Sequence, residues 1–172
     1  MRLMQWAGLG LAVAAAWLAP PAFGQVVTPP ERSGVVIDNV VPLRATKVVM
    51  NMDHDAMSGS LPTGLYYMEL ILSHFAGSSL PLAMTALFHD HGAYLVLDDA
   101  AYDRVRHTTT GNPWKTRVAA LQRAGVLFEI CSFSMYNNGW VNADLLPGVK
   151  VDNDVLLRLI DLTQDGYVQI QP

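Results

Sequence analysis

Cys131 is the only cysteine among 172 residues. A thiol does its chemistry as thiolate, the species that attacks sulfur and binds soft metal ions. In "GVLFEICSFSMYNNGW" this thiol ends an apolar run that reads as a strand and precedes a run that reads as a helix. A helix starting there would set partial positive charge beside the sulfur and favour the thiolate. The opposing reading is a small buried hydrophobe at a strand end, a common fate of free cysteine.

Two further stretches concentrate titratable groups. "MNMDHDAM" brings together Asp53, His54 and Asp55, flanked by Met50, Met52 and Met57. Methionine and histidine are ligands for copper(I), but Met50 and Met52 alternate along a predicted strand and so share one face, which suits core packing. "FHDHG" sets His89 and His91 two apart, on one side of an extended segment, a spacing open to a metal, a proton relay or a solvated loop. Cys131, His54, His89 and His91 together form the alternative of a soft-metal site. "DHDAMSG" opens like a calcium loop but lacks the third acidic position, the glycine and the closing glutamate. The chain has no phosphate-binding glycine loop, no nucleophile elbow and no zinc spacing of cysteines, and its residues call for no cofactor.

The elements that position these groups follow from periodicity. "TKVVMNM" and "LAMTALF" read as buried strands, with "TGLYYMELILSHFAG" between them as a helix that places Leu65, Met68, Leu72 and Phe75 on one face. "AYLVL" reads as a third strand or a short extension, and "DDAAYDRVRH" as a helix opening on Asp residues. Asn112 as cap, Pro113 at the first helical position and Gly125 past the end frame the next helix, with Trp114, Val118 and Leu121 on one face. "VLFEIC" follows as a strand, apolar except for Glu129. "LLPGVKV" leads into a last helix capped near Asp154 and stopped at Gly166, and "YVQI" closes as a strand. Strands alternating with helices predict βαβ units, hence a mainly parallel sheet with helices on both faces. Ligands of such sheets bind outside the carboxyl ends of the strands. Asp53, His54, His89, His91 and Cys131 all fall there.

The first 24 residues carry a single positive charge, an apolar run of 13 residues and small residues at Ala22 and Gly24, the three parts of a secretory signal peptide. The run is shorter than the roughly 20 residues of a spanning helix; an uncleaved anchor is the alternative. Cleavage before Gln25 leaves 148 residues (172 minus 24), one domain's worth, with 10 basic residues against 15 acidic. Such an acidic chain has no use as a general nucleic-acid binder, and a single cysteine excludes an internal disulfide. Residues 25 to 45, with Pro29, Pro30 and Pro42, read as an extended lead-in with a short edge strand at Val35 to Ile37.

Over residues 46 to 172 the ordered set "FHDHGAYLVLDDAAY", "NPWKTRVAALQRAGVLFEICSFSM" and "NADLLPGVKVDNDVLLRLIDLTQDGYVQI" resembles the DsrE/DsrF-like family of sulfur-relay and related proteins, in its exported, largely uncharacterised branch. The resemblance implies a three-layer α/β/α sandwich with a five-stranded sheet, assembled as trimers or hexamers. It implies that Cys131 stands where sulfur-transferring members carry sulfur as a persulfide; Asp53, His54, His89 and His91, on the same predicted sheet edge, are the expected neighbours that bind or tune the thiol. Exported, the protein would meet a periplasmic sulfur donor and acceptor. Phe133 stands where many relatives have a small or polar residue, and is expected to shield the thiol.

Overall fold

A computed structural model describes residues 34–172. The expected signal peptide, and the lead-in up to residue 33, lie outside the described residues. Thr46–Met52 (β1) starts the sheet, and a two-stranded ribbon of Met57–Ser58 (β2) and Leu61–Pro62 (β3) leads into Thr63–Phe75 (α1). Then come Leu82–Phe88 (β4), a 3-10 helix over Asp90–Val96, Asp99–Arg106 (α2), Lys115–Arg123 (α3) and Leu127–Cys131 (β5). Ser132–Asn138 (α4), a 3-10 turn at Asn142–Asp144, Lys150–Asp152 (β6), Val155–Gln164 (α5) and Val168–Ile170 (β7) complete the chain.

Five strands form one sheet in the order β6-β5-β4-β1-β7, every pair parallel. The steps β1 to β4 to β5 to β6 all run one way across the sheet. The last crossover, from β6 to β7, returns over the whole sheet to the far edge. Right-handed crossovers therefore put α1 and α3 on one face and α5 on the other. The result is a three-layer α/β/α sandwich around a five-stranded parallel sheet.

The two faces are built differently. On the α1/α3 face the strands alternate Val48, Met50 and Met52, then Met84, Ala86 and Phe88, then Phe128 and Ile130, all packed into one large core with Leu65, Met68, Val118 and Leu121. Met50 and Met52 are thus core residues, and Phe88 stacks on Phe128 with ring centroids 5.3 Å apart. On the α5 face a smaller cluster joins Val49, Leu87, Cys131, Val155 and Leu162. Buried polar residues interrupt it: Asn51, Thr85 and Glu129 occupy the alternate positions of β1, β4 and β5.

Three readings of the sequence need correction. "AYLVL" is no strand: most of it lies in the 3-10 helix, buried against the α1/α3 core, so its apolar character reflects burial rather than sheet pairing. The fifth strand is instead β6, three residues long, within the segment read as a lead-in to the last helix. Val35 to Ile37 form no strand and are exposed. Helix α3 becomes regular only at Lys115, with Trp114 at its N-cap. Asn112 still organises the entry, its Oδ1 accepting from the Trp114 amide at 2.9 Å, but it caps from two residues further out. Helices α2 and α5 start as their caps predict: Asp98 accepts from the Ala101 amide and Asp154 from the Leu156 amide.

Candidate functional site

Strand order decides which of the candidate residues meet. β4 lies between β1 and β5, so the carboxyl ends that carry Asp53, His89 and Cys131 are neighbours. Phe88 pairs with Ile130 and with Met52, which sets His89 in step with Cys131 on one side and Asp53 on the other. Backbone bonds from His89 to the Met52 carbonyl and from His91 to the Asp53 carbonyl, both 3.1 Å, carry the β1–β4 pairing past the strand ends. The Asp90 amide donates to Ser134 Oγ at 3.0 Å and ties this loop to α4.

At the β1 end the side chains form a connected polar network. His89 Nε2 lies 2.9 Å from Asn51 Oδ1, and Asn51 Nδ2 donates to Gln171 Oε1 at 2.8 Å. Gln171 Nε2 donates to Asp53 Oδ1 at 2.5 Å, and His54 Nδ1 bonds the same oxygen. The network lies at the carboxyl ends of β4, β1 and β7, the edge where open parallel sheets bind their ligands. Burial pushes the Asp53 carboxyl up, but the hydrogen bonds from His54 and Gln171 and the charges of His54 and His89 outweigh it, so Asp53 stays below the usual carboxylate range. Burial lowers His89, against the pull of Asp53 and Asp90, so it is held neutral at neutral pH. His91 stands apart: its side chain is 81% exposed and 3.9 Å from Asp90. Asp55 turns the other way, accepting from Tyr94 Oη and pairing with Arg106 at 3.5 Å.

Cys131 closes β5 as the N-cap residue of α4, its side chain making no capping bond. It is 4% exposed. The cover is not Phe133, which is 58% exposed; α4 begins at Ser132, and two helical residues turn the chain by about 200°, away from the sulfur. The cover comes from the apolar cluster under α5, Val155 and Leu162 above Val49 and Leu87. Ser132 Oγ donates to the Asn153 carbonyl at 2.8 Å and fastens the β6–α5 loop beside the thiol.

The far side of Cys131 holds residues the sequence reading passed over. Asp152 is its register partner on β6. Glu129, two residues back on the same face, receives Arg158 Nε at 2.7 Å and Nη2 at 3.0 Å, while Arg158 Nη1 donates to Asp161 at 2.6 Å. Burial pushes Glu129 up, but those Arg158 bonds, a hydrogen bond with Asp152 and the charges of Arg158 and Lys150 hold it below its ordinary range. Asp152 is the reverse case. Burial, the hydrogen bond with Glu129 and the Glu129 charge push it up to about 7. Glu129 was visible as the lone charge in an apolar strand, a signal that a buried partner must exist; Asp152 was hidden because its strand went unread.

Among the described residues, no three or more His, Cys, Asp or Glu side chains are grouped to hold a metal ion, so the alternative set of Cys131, His54, His89 and His91 does not form such a group. None of the described helices is long and apolar enough to cross a membrane.

No family model matches the chain, and no curated protein matches it. Among solved structures it is similar to a protein of unknown function from Methanobacterium thermoautotrophicum, with a TM-score of 0.59 and 20% sequence identity over 74% of this chain and 99% of that one. At that identity the likeness supports the α/β fold and nothing finer.

Proposed function

We propose that this chain is an exported DsrE/DsrF-like protein that binds and transfers sulfane sulfur as a persulfide on Cys131. The observation that carries the reading is the position of that thiol: it ends an inner parallel strand, between the polar ends of β4 and β6, on the edge where open sheets bind their ligands. The ordered resemblance of residues 46 to 172 supplies the chemistry, and the signal-like N-terminus the compartment. Attack of the Cys131 thiolate on a sulfane sulfur would form the persulfide, and an acceptor thiolate would take the sulfur on. Burial makes access part of the mechanism, because the start of α5 and its preceding loop must move for a donor to reach the sulfur.

A homo-oligomer belongs to the same proposal. The outer side of helix α5 leaves Leu156, Leu157 and Ile160 exposed, an apolar patch of the kind that a second copy covers.

Mass spectrometry of the purified protein after thiosulfate or polysulfide tests the reading. The wild type is expected to gain about 32 mass units, the mass of one sulfur atom, and to lose it to a reductant, while Cys131→Ser gains nothing. An unmodified wild-type thiol under conditions that persulfidate a free-cysteine peptide would sink the proposal.

A further inference from the structure

The hydrogen bonds at the carboxyl ends of β4, β1 and β7 have a polarity, and one carboxylate sets it. Asp53 is held as the anion, and a carboxylate can only accept. The Gln171 atom 2.5 Å from it is therefore the amide nitrogen, which turns Gln171 Oε1 toward Asn51. That oxygen accepts from Asn51 Nδ2 at 2.8 Å and from Gln169 Nε2 at 3.2 Å, so two donors fix it as an acceptor. Asn51 is left with Oδ1 to face His89 Nε2 at 2.9 Å. An amide oxygen only accepts, so the hydrogen sits on Nε2. Neither amide can turn over alone without setting donor against donor or acceptor against acceptor, and Asn51 is buried away from water.

We infer that Asp53 acts through Gln171 and Asn51 as a positioning residue for His89, fixing the ring as the Nε2–H tautomer and leaving Nδ1 as a bare proton acceptor at the strand ends. Burial keeps the ring neutral and that lone pair free. A proton arriving at Nδ1 disturbs no bond of the chain, because an imidazolium still donates from Nε2. The substrate of this acceptor rests on the sulfur-transfer reading: it is the thiol that collects sulfur from Cys131. The thiol S–H bond breaks and its proton joins Nδ1. The thiolate sulfur bonds the terminal sulfur of the Cys131 persulfide, the bond from that sulfur to Sγ breaks, and Cys131 leaves as thiolate while the imidazolium gives its proton up to water. No oxidant enters the step.

Proton–nitrogen correlation NMR of the imidazoles at pH 7.5 reads the tautomer, with His89→Gln identifying the ring and circular dichroism confirming the fold of each variant. The wild type is expected to show His89 as one tautomer, with a slowly exchanging proton on Nε2. Asp53→Asn and Gln171→Met, which remove the carboxylate and the link to it, should move both ring nitrogens toward a mixture of tautomers and speed exchange of that proton. A network with a merely structural role would lose stability in these variants and leave the ring nitrogens where they are; that result overturns the inference, as does a wild type protonated on Nδ1. A second arm follows discharge of the persulfidated protein to dithiothreitol. His89→Gln should slow it by about 10-fold or more, and an unchanged rate overturns the role of His89 as base. The NMR arm needs no sulfur, so a protein that never forms the persulfide would sink the sulfur-transfer reading and leave the positioning of His89 to stand or fall on its own spectra.

Discussion

Arg158 is the most heavily committed cation of the α5 face, and Arg158→Met measures what its commitment is worth. The substitution keeps the aliphatic bulk of the side chain and removes both bonds to Glu129, whose side chain is 5% exposed. Removing one partner of a buried pair costs about 3–5 kcal/mol, because the other charge stays behind without compensation. The Arg158 side chain is 30% exposed, so water replaces part of the loss; about 2–4 kcal/mol is the expectation. With a urea slope of about 2 kcal/mol per molar, the midpoint falls by about 1–2 M at pH 7. The pH dependence carries the sharper test. In the wild type Glu129 is held below its unfolded value, so its contribution is present above that value and is lost as pH falls through the folded one. Without Arg158, burial is opposed only by the Asp152 hydrogen bond and the Lys150 charge, so the folded value rises and protonation relieves the strain. The gap between variant and wild type is therefore expected to narrow between pH 7 and pH 5 in urea titrations followed by circular dichroism. Arg104→Met serves as the surface control, since that side chain is 60% exposed beside Asp144, and should cost less than about 1 kcal/mol. A loss below about 0.5 kcal/mol for Arg158→Met, or a gap that widens at pH 5, would refute the argument.

Asn112 is buried, and its Nδ2 donates to the Leu95 and Leu97 carbonyls at 3.0 and 2.7 Å while Oδ1 holds the Trp114 amide. Asn112→Ala strands those groups and should cost about 2–4 kcal/mol by chemical denaturation, with amide exchange rising first at the start of α3. A Cβ on Gly92 would lie 2.3 Å from the Met52 carbonyl oxygen, the same oxygen that receives the His89 amide. Gly92→Ala should lower stability by about 3 kcal/mol and shift the His89 resonances; a wild-type-like melting curve would contradict the packing. Ile160→Lys, on the outer side of α5, should leave the fold within about 0.5 kcal/mol of wild type and reduce the particle to a monomer in sedimentation. A wild type that already sediments as a monomer removes the oligomer from the proposal.

How much of this was legible in the sequence depended on length and on periodicity. β1, β4 and β5 announce themselves as apolar runs of five to seven residues, and α2 and α5 carry their caps in the sequence. β6 could not be read: three residues following Pro147 and Gly148 offer no period to detect, and they are a strand only because β5 offers an unpaired edge. The same blind spot concealed Asp152. The buried 3-10 helix was mistaken for a strand because a short apolar run records burial without recording the backbone that achieves it. Among the candidate site residues, Asp53, His54 and His89 meet in one network, as their place after β1 and β4 allowed, yet the residues that join them, Asn51 and Gln171, are uncharged and have no local signature. Cys131 was expected under Phe133 and lies instead under α5, a contact between segments more than twenty residues apart.

The division of labour between the two faces of the sheet explains why the chemistry gathers where it does. Four helices and the 3-10 segment cover one face, and there the strand positions are almost wholly apolar. The other face has one helix of ten residues above it. A cover that narrow leaves the strand ends short of a dry lid, and the positions beneath it can hold carboxyls, an amide and a thiol if each finds a partner. Glu129 finds Arg158, Asn51 finds Gln171 and His89, and Asp152 finds Glu129 at the expense of its own negative charge. The Thr85 hydroxyl finds none among the described residues, and Cys131 is held by packing against α5. Movement of α5 would therefore expose the thiol and change the surroundings of the Glu129–Asp152 pair in one event. Opening the site and setting the protonation of the carboxyl beside the sulfur are, on this face, the same motion.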